Sequence, residues 1–266
     1  MSIIIGTSGW QYADWRGRLY PRGLAQKDWL TYYSDRFRSV EVNNVFYRLP
    51  EKTTFERWAA ATAEDFQFSL KASRYLTHVL RLGAPTEPVR RLLDSSSGLG
   101  HKQGPILVQL PANFRADPAR LASTLKAFPA SVRVAFEPRH ESWYTDEVAD
   151  ILQQHRAALC LSDTPRRKSP LWRTADWGYV RLHEGRANPA PCYGRTALTN
   201  WAGRLAELWD SSEDVYVYFN NDHGGCAVRD AHRFAPTAAR AGLLPTRVPT
   251  RREASLTPEP VNRAIE

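Results

Sequence analysis

The sequence predicts an α/β protein built as a single (β/α)8 TIM-type barrel. Eight short apolar runs, rich in β-branched and aromatic residues, alternate mostly with segments whose apolar residues recur at helical spacing. Each run stops abruptly in polar or charged residues, as barrel strands do when their carboxyl ends face a common site. The length, 266 residues, is typical of that fold. A doubly wound open sheet is the rival, but no strand leads into a glycine-rich dinucleotide fingerprint, and no cofactor is expected.

The first strand, residues 3–5, leaves through Gly6, Thr7, Ser8, Gly9 and Trp10, where backbone N–H groups could face a ligand. An aromatic loop with Tyr12, Trp15 and Tyr20 leads to a helix over 25–37, carrying Trp29, Leu30, Tyr33 and Phe37 on one face. Strand two, 39–43, ends in Glu41 and Asn43, and Thr53 or Thr54 caps the helix that runs to Ala63. Strand three, 66–71, ends in Lys71; its exit carries Tyr75, Thr77 and His78 before a helix over 88–94. Strand four, 106–110, holds Gln109 and closes at Pro111, and Asp117-Pro118 opens a helix ending near Phe128. After strand five, 132–136, comes a helix over 145–155. Strand six, 157–161, stops at Ser162 and Asp163. Strand seven, 179–183, carries Arg181 and His183 into a loop over 185–194 and a helix over 199–209. Strand eight, 215–219, ends in Asn220, Asn221, Asp222 and His223, before a last helix over 227–241. Residues 1–244 therefore make the barrel, and 245–266 form an irregular tail without periodicity.

Composition narrows the class. Hydrophobic residues at 42% and charged residues at 24% describe an ordinary soluble globular protein. No apolar run reaches the roughly 18 residues of a spanning helix, and no signal peptide is expected from residues 1–6, which lack a basic stretch and a long apolar run. No membrane partner is expected. The net charge of +8 favours an anionic partner, without the dense basic tract of a nucleic-acid arm. Cys160, Cys192 and Cys226 lack metal-site spacing and cannot build a disulfide framework, which fits a reducing cytoplasm. The oligomeric state is not written in the sequence.

The richest stretch is the exit of strand five: Glu137, Pro138, Arg139, His140, Glu141, Ser142 and Trp143. Pro138 lacks an N–H and ends regular pairing there. Charges at the end of a buried strand need partners or a wet cavity, because desolvating them alone is costly.

In order along the chain stand Gly6-Thr7-Ser8-Gly9-Trp10 with Tyr12, Trp15, Gly17 and Tyr20-Pro21, then Glu41-Val42-Asn43 with Phe46-Tyr47 and Pro50. Lys71-Ala72-Ser73 with Thr77-His78, Gln109-Leu110-Pro111, Glu137 with Arg139-His140 and Ser142-Trp143, Arg181-Leu182-His183 and Phe219-Asn220-Asn221 follow. Together, over residues 2–244, they resemble the domain of unknown function 72 (YecE-like) family. The resemblance implies a TIM barrel and supplies no reaction. Pro138 stands where an aliphatic or aromatic residue is expected, and Glu184 parts His183 from Gly185 where a direct His-Gly pair is usual.

Glu41 and Glu137 are candidate acid and base; the alternative is a buried ionic lattice with Lys71, Arg139 and Arg181. His140, His183 and Asp163 complete the catalytic candidates. Lys71, Arg139 and Arg181 form the candidate anion clamp, and Thr7, Trp10, Asn43, Gln109, Trp143, Asn220 and Asn221 the remaining binding set. No helix carries the fixed His-Glu spacing of a metalloprotease, and the nearby cations oppose a metal ion, so no metal is assigned. Asn221 to Gly225 before a helix is either a phosphate site or only a glycine-rich turn. The function expected is a hydrolase, lyase or isomerase acting on a small phosphorylated or carboxylated substrate by acid–base chemistry. The alternatives are a metal-dependent nucleic-acid-processing barrel resembling endonuclease IV in fold, and a non-catalytic binding protein.

Overall fold

The computed structural model describes residues 2–164, 167–210 and 212–254; most of the expected tail, 255–266, lies outside the described residues. The strands are β1 (Ser2–Ser8), β2 (Ser39–Val42), β3 (Gln67–Lys71), β4 (Gln103–Gln109), β5 (Val134–Glu137), β6 (Ala158–Thr164), β7 (Arg167–Lys168), β8 (Gly178–Leu182), β9 (Asp214–Phe219) and β10 (Leu244–Pro245). The helices are α1 (Trp29–Ser34), α2 (Asn44–Tyr47), α3 (Lys52–Ala60), α4 (Thr86–Ser96), α5 (Pro118–Ala127), α6 (Asp146–Gln154), α7 (Arg195–Leu208) and α8 (Cys226–Arg240). Strand order is β1-β2-β3-β4-β5-β6-β8-β9, and β1 also pairs in parallel with β9, which closes an eight-stranded (β/α)8 barrel.

The chain groups into two compact units. The first comprises Met1–Val40, Ser162–Ser169 and Val180–Glu266; the second comprises Glu41–Leu161 and Pro170–Tyr179. In the first, Ile3, Ile4 and Ile5 of β1 are buried together with Val215, Val217 and Phe219 of β9 and Phe234 and Ala238 of α8. Gly6 is required by close approach, because a Cβ there would stand 2.3 Å from the Ser39 carbonyl oxygen. In the second, Leu70, Ile106, Leu107, Val108, Ala135, Phe136 and Leu159 are buried on β3 to β6. Such parallel strands read as continuous apolar runs, which is why the sequence exposes them.

The start of α5 follows its predicted chemistry, and α6 begins on a cap at Thr145, which the sequence reading places inside the helix. Asp117 accepts from the Arg120 N–H at 3.0 Å with Pro118 at the first helical position, and Thr145 accepts from the Val148 N–H at 3.3 Å. Others differ. The helix expected over 25–37 is a 3-10 turn, Gln26–Asp28, followed by the short α1. Helix α3 begins at Lys52, so Thr53 and Thr54 lie inside it and no side chain caps it. The exit of β3 is a turn of π-helix, Tyr75–Val79. The first residues after the barrel are pinned to it: β10 pairs with β1, the Thr246 N–H donates to the Ile3 carbonyl at 2.8 Å, and Arg247 donates to the Ser34 carbonyl at 2.8 Å.

Candidate functional site

In the second unit, strand ends gather two carboxylates and several cations. Glu41 is fully buried, and its Oε2 accepts from the Tyr179 hydroxyl at 2.7 Å. That phenol oxygen also lies 2.8 Å from Ser69 Oγ, so a buried polar chain runs from Ser69 through Tyr179 to Glu41. Asn43 Nδ2 donates to Glu41 Oε1 at 3.4 Å, while its own buried Oδ1 has no hydrogen-bond partner among the described residues. Glu137, only 2% exposed, accepts at Oε2 from Gln109 Nε2 at 2.8 Å. β4 and β5 place Gln109 and Glu137 opposite one another in parallel register, which sets that bond. The Arg139 guanidinium reaches Glu137 Oε1 at 3.7 Å.

The cations centre on His78. Burial first, then Lys71, Arg74, Arg139 and Arg81, push its imidazole below the ordinary value of 6.5. Lys71 Nζ stands 4.3 Å from the centroid of Phe46, whose ring meets His78 edge-on at 5.0 Å. Thr77 Oγ1 donates to the Ser73 carbonyl at 3.0 Å and lies 2.9 Å from His78 Nδ1. The threonine has one proton, already given to Ser73, so the network assigns the imidazole proton to Nδ1 and the lone pair to Nε2. His140 is held the opposite way, since its Nδ1 accepts from the Ser142 N–H at 3.1 Å and leaves Nε2 as the donor.

In the first unit, the Asp163 carboxylate accepts from Trp201 Nε1 at 2.8 Å. Arg181 is 2% exposed, and its guanidinium lies 3.5 Å from His183 Nε2. Asn220 Nδ2 stands 2.8 Å from His183 Nδ1 and fixes the ring. Thr7 is fully buried, with its hydroxyl donating to the Gly9 carbonyl at 2.7 Å and lying 2.8 Å from Tyr33 Oη. Asn221 donates to Asp230 Oδ2 at 2.8 Å and to the Pro191 carbonyl at 3.1 Å.

The indoles need correcting. Trp143 was expected to face a ligand, but it is fully buried, donates to the Phe114 carbonyl at 2.8 Å and packs on Phe114 and Phe136. Trp10 is buried as well, and its carbonyl accepts from the Tyr20 hydroxyl at 2.6 Å. Large apolar side chains at a strand exit stabilise more by closing the core than by waiting in solvent. The hydroxyl of Tyr179 went unpredicted; its signal was the two-residue alternation that sets it on the same strand face as Arg181. Among the described residues, no three His, Cys, Asp or Glu side chains converge to hold a metal ion. No helix among them is long and apolar enough to cross a membrane.

A family model described as "Protein of unknown function DUF72" matches residues 4–253. The chain belongs to this family. The UPF0759 protein YunF of Bacillus subtilis is 26% identical over 258 residues, covering 85% of this chain and 90% of the relative. The UPF0759 protein YecE of Escherichia coli is 31% identical over 144 residues, about half of each chain (53% and 50%). The crystal structure of a DUF72 family protein from Thermotoga maritima, 28% identical, superposes with a TM-score of 0.79 over 90% of this chain and 100% of that one. A DUF72 family protein from Enterococcus faecalis, 20% identical, shares the fold with a TM-score of 0.73, covering 89% of this chain and 97% of its own.

Two further features of this DUF72 chain depart from the sequence reading. Cys192 and Cys226 form a disulfide, with Cα atoms 4.9 Å apart, and Cys160 lies outside that pair. The expectation of unpaired cysteines, and the reducing compartment inferred from it, therefore lose their basis. The pairing was hidden because the partners lie 34 residues apart on different elements. The loop before Cys192 is stitched tightly: the Gly185 N–H donates to the Pro191 carbonyl at 2.8 Å, and a Cβ at Gly185 would stand 2.2 Å from the Cys192 carbonyl oxygen.

The turn into α8 also differs from a phosphate cradle. The Asp222 carboxyl accepts from the Ala227 N–H in the first helical turn and from Trp15 Nε1 at 2.8 and 2.9 Å, so the chain's own acid occupies a donor that phosphate would use. Burial pushes this carboxyl up from 3.8 to about 8. The folded state thus holds a proton that the unfolded state releases, and stability falls as pH rises from about 4 to about 8. Asp222→Asn should flatten this slope when melting temperature is followed across that window; an unchanged slope would remove Asp222 as its source.

Proposed function

We propose that this DUF72 protein is an enzyme that binds a small phosphorylated or carboxylated substrate and acts on it by acid–base chemistry at the strand ends of the second unit. The convergence of Lys71, Arg74, Arg81 and Arg139 on His78, with Arg139 also reaching the buried Glu137, carries this reading. The cations supply an anion anchor, with Lys71 as a compact charge and Arg139 as a planar fork. Glu137 acts as base, oriented by Gln109, and the neutral His140 polarises the substrate by donating a hydrogen bond from its Nε2–H. Tyr179 holds Glu41, and the Asn43 Oδ1, without a hydrogen-bond partner among the described residues, offers an acceptor for a substrate hydroxyl or amine. His78 Nε2 supplies a second neutral base. Asp163, Arg181 and His183 belong to the other unit, and the reading rests on none of them.

Replacing Glu137 separates a catalytic role from a scaffold role. Its cationic neighbour Arg139 has a side chain 44% exposed, so water solvates the guanidinium when the carboxylate is lost. Glu137→Gln should therefore cost no more than about 1–2 kcal/mol in urea denaturation. Once a substrate is in hand, it should lose most of the turnover. A stability loss of roughly 3–5 kcal/mol would make Glu137 the centre of a structural ion lattice and contradict the proposal.

A further inference from the structure

Beside the cation cluster lies a groove of ≈ 350 Å3 between α2, the π-helical turn Tyr75–Val79 and α4. Phe46, Tyr47, Arg74, Tyr75, Val79 and Arg91 line it. Tyr47, Tyr75 and Val79 are 79%, 54% and 55% exposed, three of the five large hydrophobic side chains left exposed among the described residues. Concentrating them on one concave patch leaves apolar surface uncovered at a cost, the usual mark of a binding site. The volume falls within the range of small-ligand pockets, about 300–1,000 Å3. A single π-turn is uncommon and is often retained where it shapes a site.

We propose that this groove receives the planar ring of an aromatic anion whose charged group sits on the neighbouring cations. The inference rests on the anion-binding reading and names the kind of substrate. Two observations commit the groove to that occupant. Flat phenol faces on Tyr47 and Tyr75 suit a ring, and the exposed Arg74 and Arg91 on the same walls complement negative charge. The groove is also continuous with the anion site. Phe46 is one of its walls and packs against both Lys71 and His78, while Arg74 lines the groove and acts on His78.

Titration calorimetry with inorganic phosphate, methyl phosphate and phenyl phosphate on the full chain tests this. Phenyl phosphate should bind at least about ten-fold tighter than methyl phosphate, in keeping with one stacked ring. The gap should close in Tyr47→Ala/Tyr75→Ala, whose side chains are exposed, and survive in Tyr75→Phe, which keeps the ring. Equal affinities for the two esters, or a gap that persists in the double variant, would overturn the groove. So would a dimer that the double variant converts to monomer in sedimentation, because a second copy of the chain would then be the occupant. Lys71→Ala separates the two readings. If it weakens both esters while they bind equally, the anion site stands and the groove fails. If the ring preference persists unweakened, the groove stands and the anion anchor fails. No binding by either ester overturns both.

Discussion

Asp230→Ala should lower stability by about 3–5 kcal/mol in urea denaturation, the range for removing one partner of a buried ion pair. Asp230 is fully buried on α8, and Arg229 beside it is 3% exposed. Oδ1 accepts from Arg229 Nε at 2.9 Å, and Oδ2 accepts from the Tyr193 N–H at 2.7 Å and from Asn221 Nδ2 at 2.8 Å. Alanine strands a guanidinium, a backbone N–H and an amide away from water. Burial pushes the Asp230 carboxyl up, and these donors pull it back. A loss below about 1 kcal/mol would mean that water reaches the site and that the cluster does not hold α8 to its loop.

Reducing the Cys192–Cys226 disulfide should cost about 3–4 kcal/mol, the chain-entropy value for closing a loop of 34 residues. Both cysteines are buried and tie the loop after β8 to the start of α8, so the same loop should become the first cut in limited proteolysis. Thiol titration under denaturing, non-reducing conditions should count one group, Cys160, and three after reduction. Three groups without reductant would remove the cross-link and the stability assigned to it.

The barrel was legible because its information is local. Buried parallel strands give unbroken apolar runs, and Asp117 announces its helix within three residues. The residue types at the candidate site were legible too, since Glu41, Lys71, Gln109 and Glu137 are polar at strand ends. Their partners were not. Tyr179 reaches Glu41 across 138 residues, and a tyrosine in an apolar run reads only as core. Cys192 pairs with Cys226 on another element, and an odd number of cysteines conceals which pair forms. Trp143 misled in the other direction: an indole among charges suggests a ligand platform, but the space under the loop claimed it. The π-turn left no sign, because no residue at 75–79 forces the wider ring.

The cation cluster makes one group report on the whole site. Held below 6.5 by burial and by Lys71, Arg74, Arg139 and Arg81, the His78 imidazole is neutral at pH 7. As pH falls through its unfolded value, the unfolded chain takes up the proton more readily, so His78 adds stability above that window and none below it. An anion on the cluster offsets the positive field and should raise the His78 value. Imidazole resonances of 15N-histidine-labelled protein, followed through a pH titration with and without phosphate, measure this directly. The account predicts a His78 midpoint below the ordinary one that moves upward when phosphate is added at constant ionic strength, and less so in Lys71→Ala. A midpoint at the ordinary value, or one indifferent to phosphate, would contradict an anion site beside Glu137.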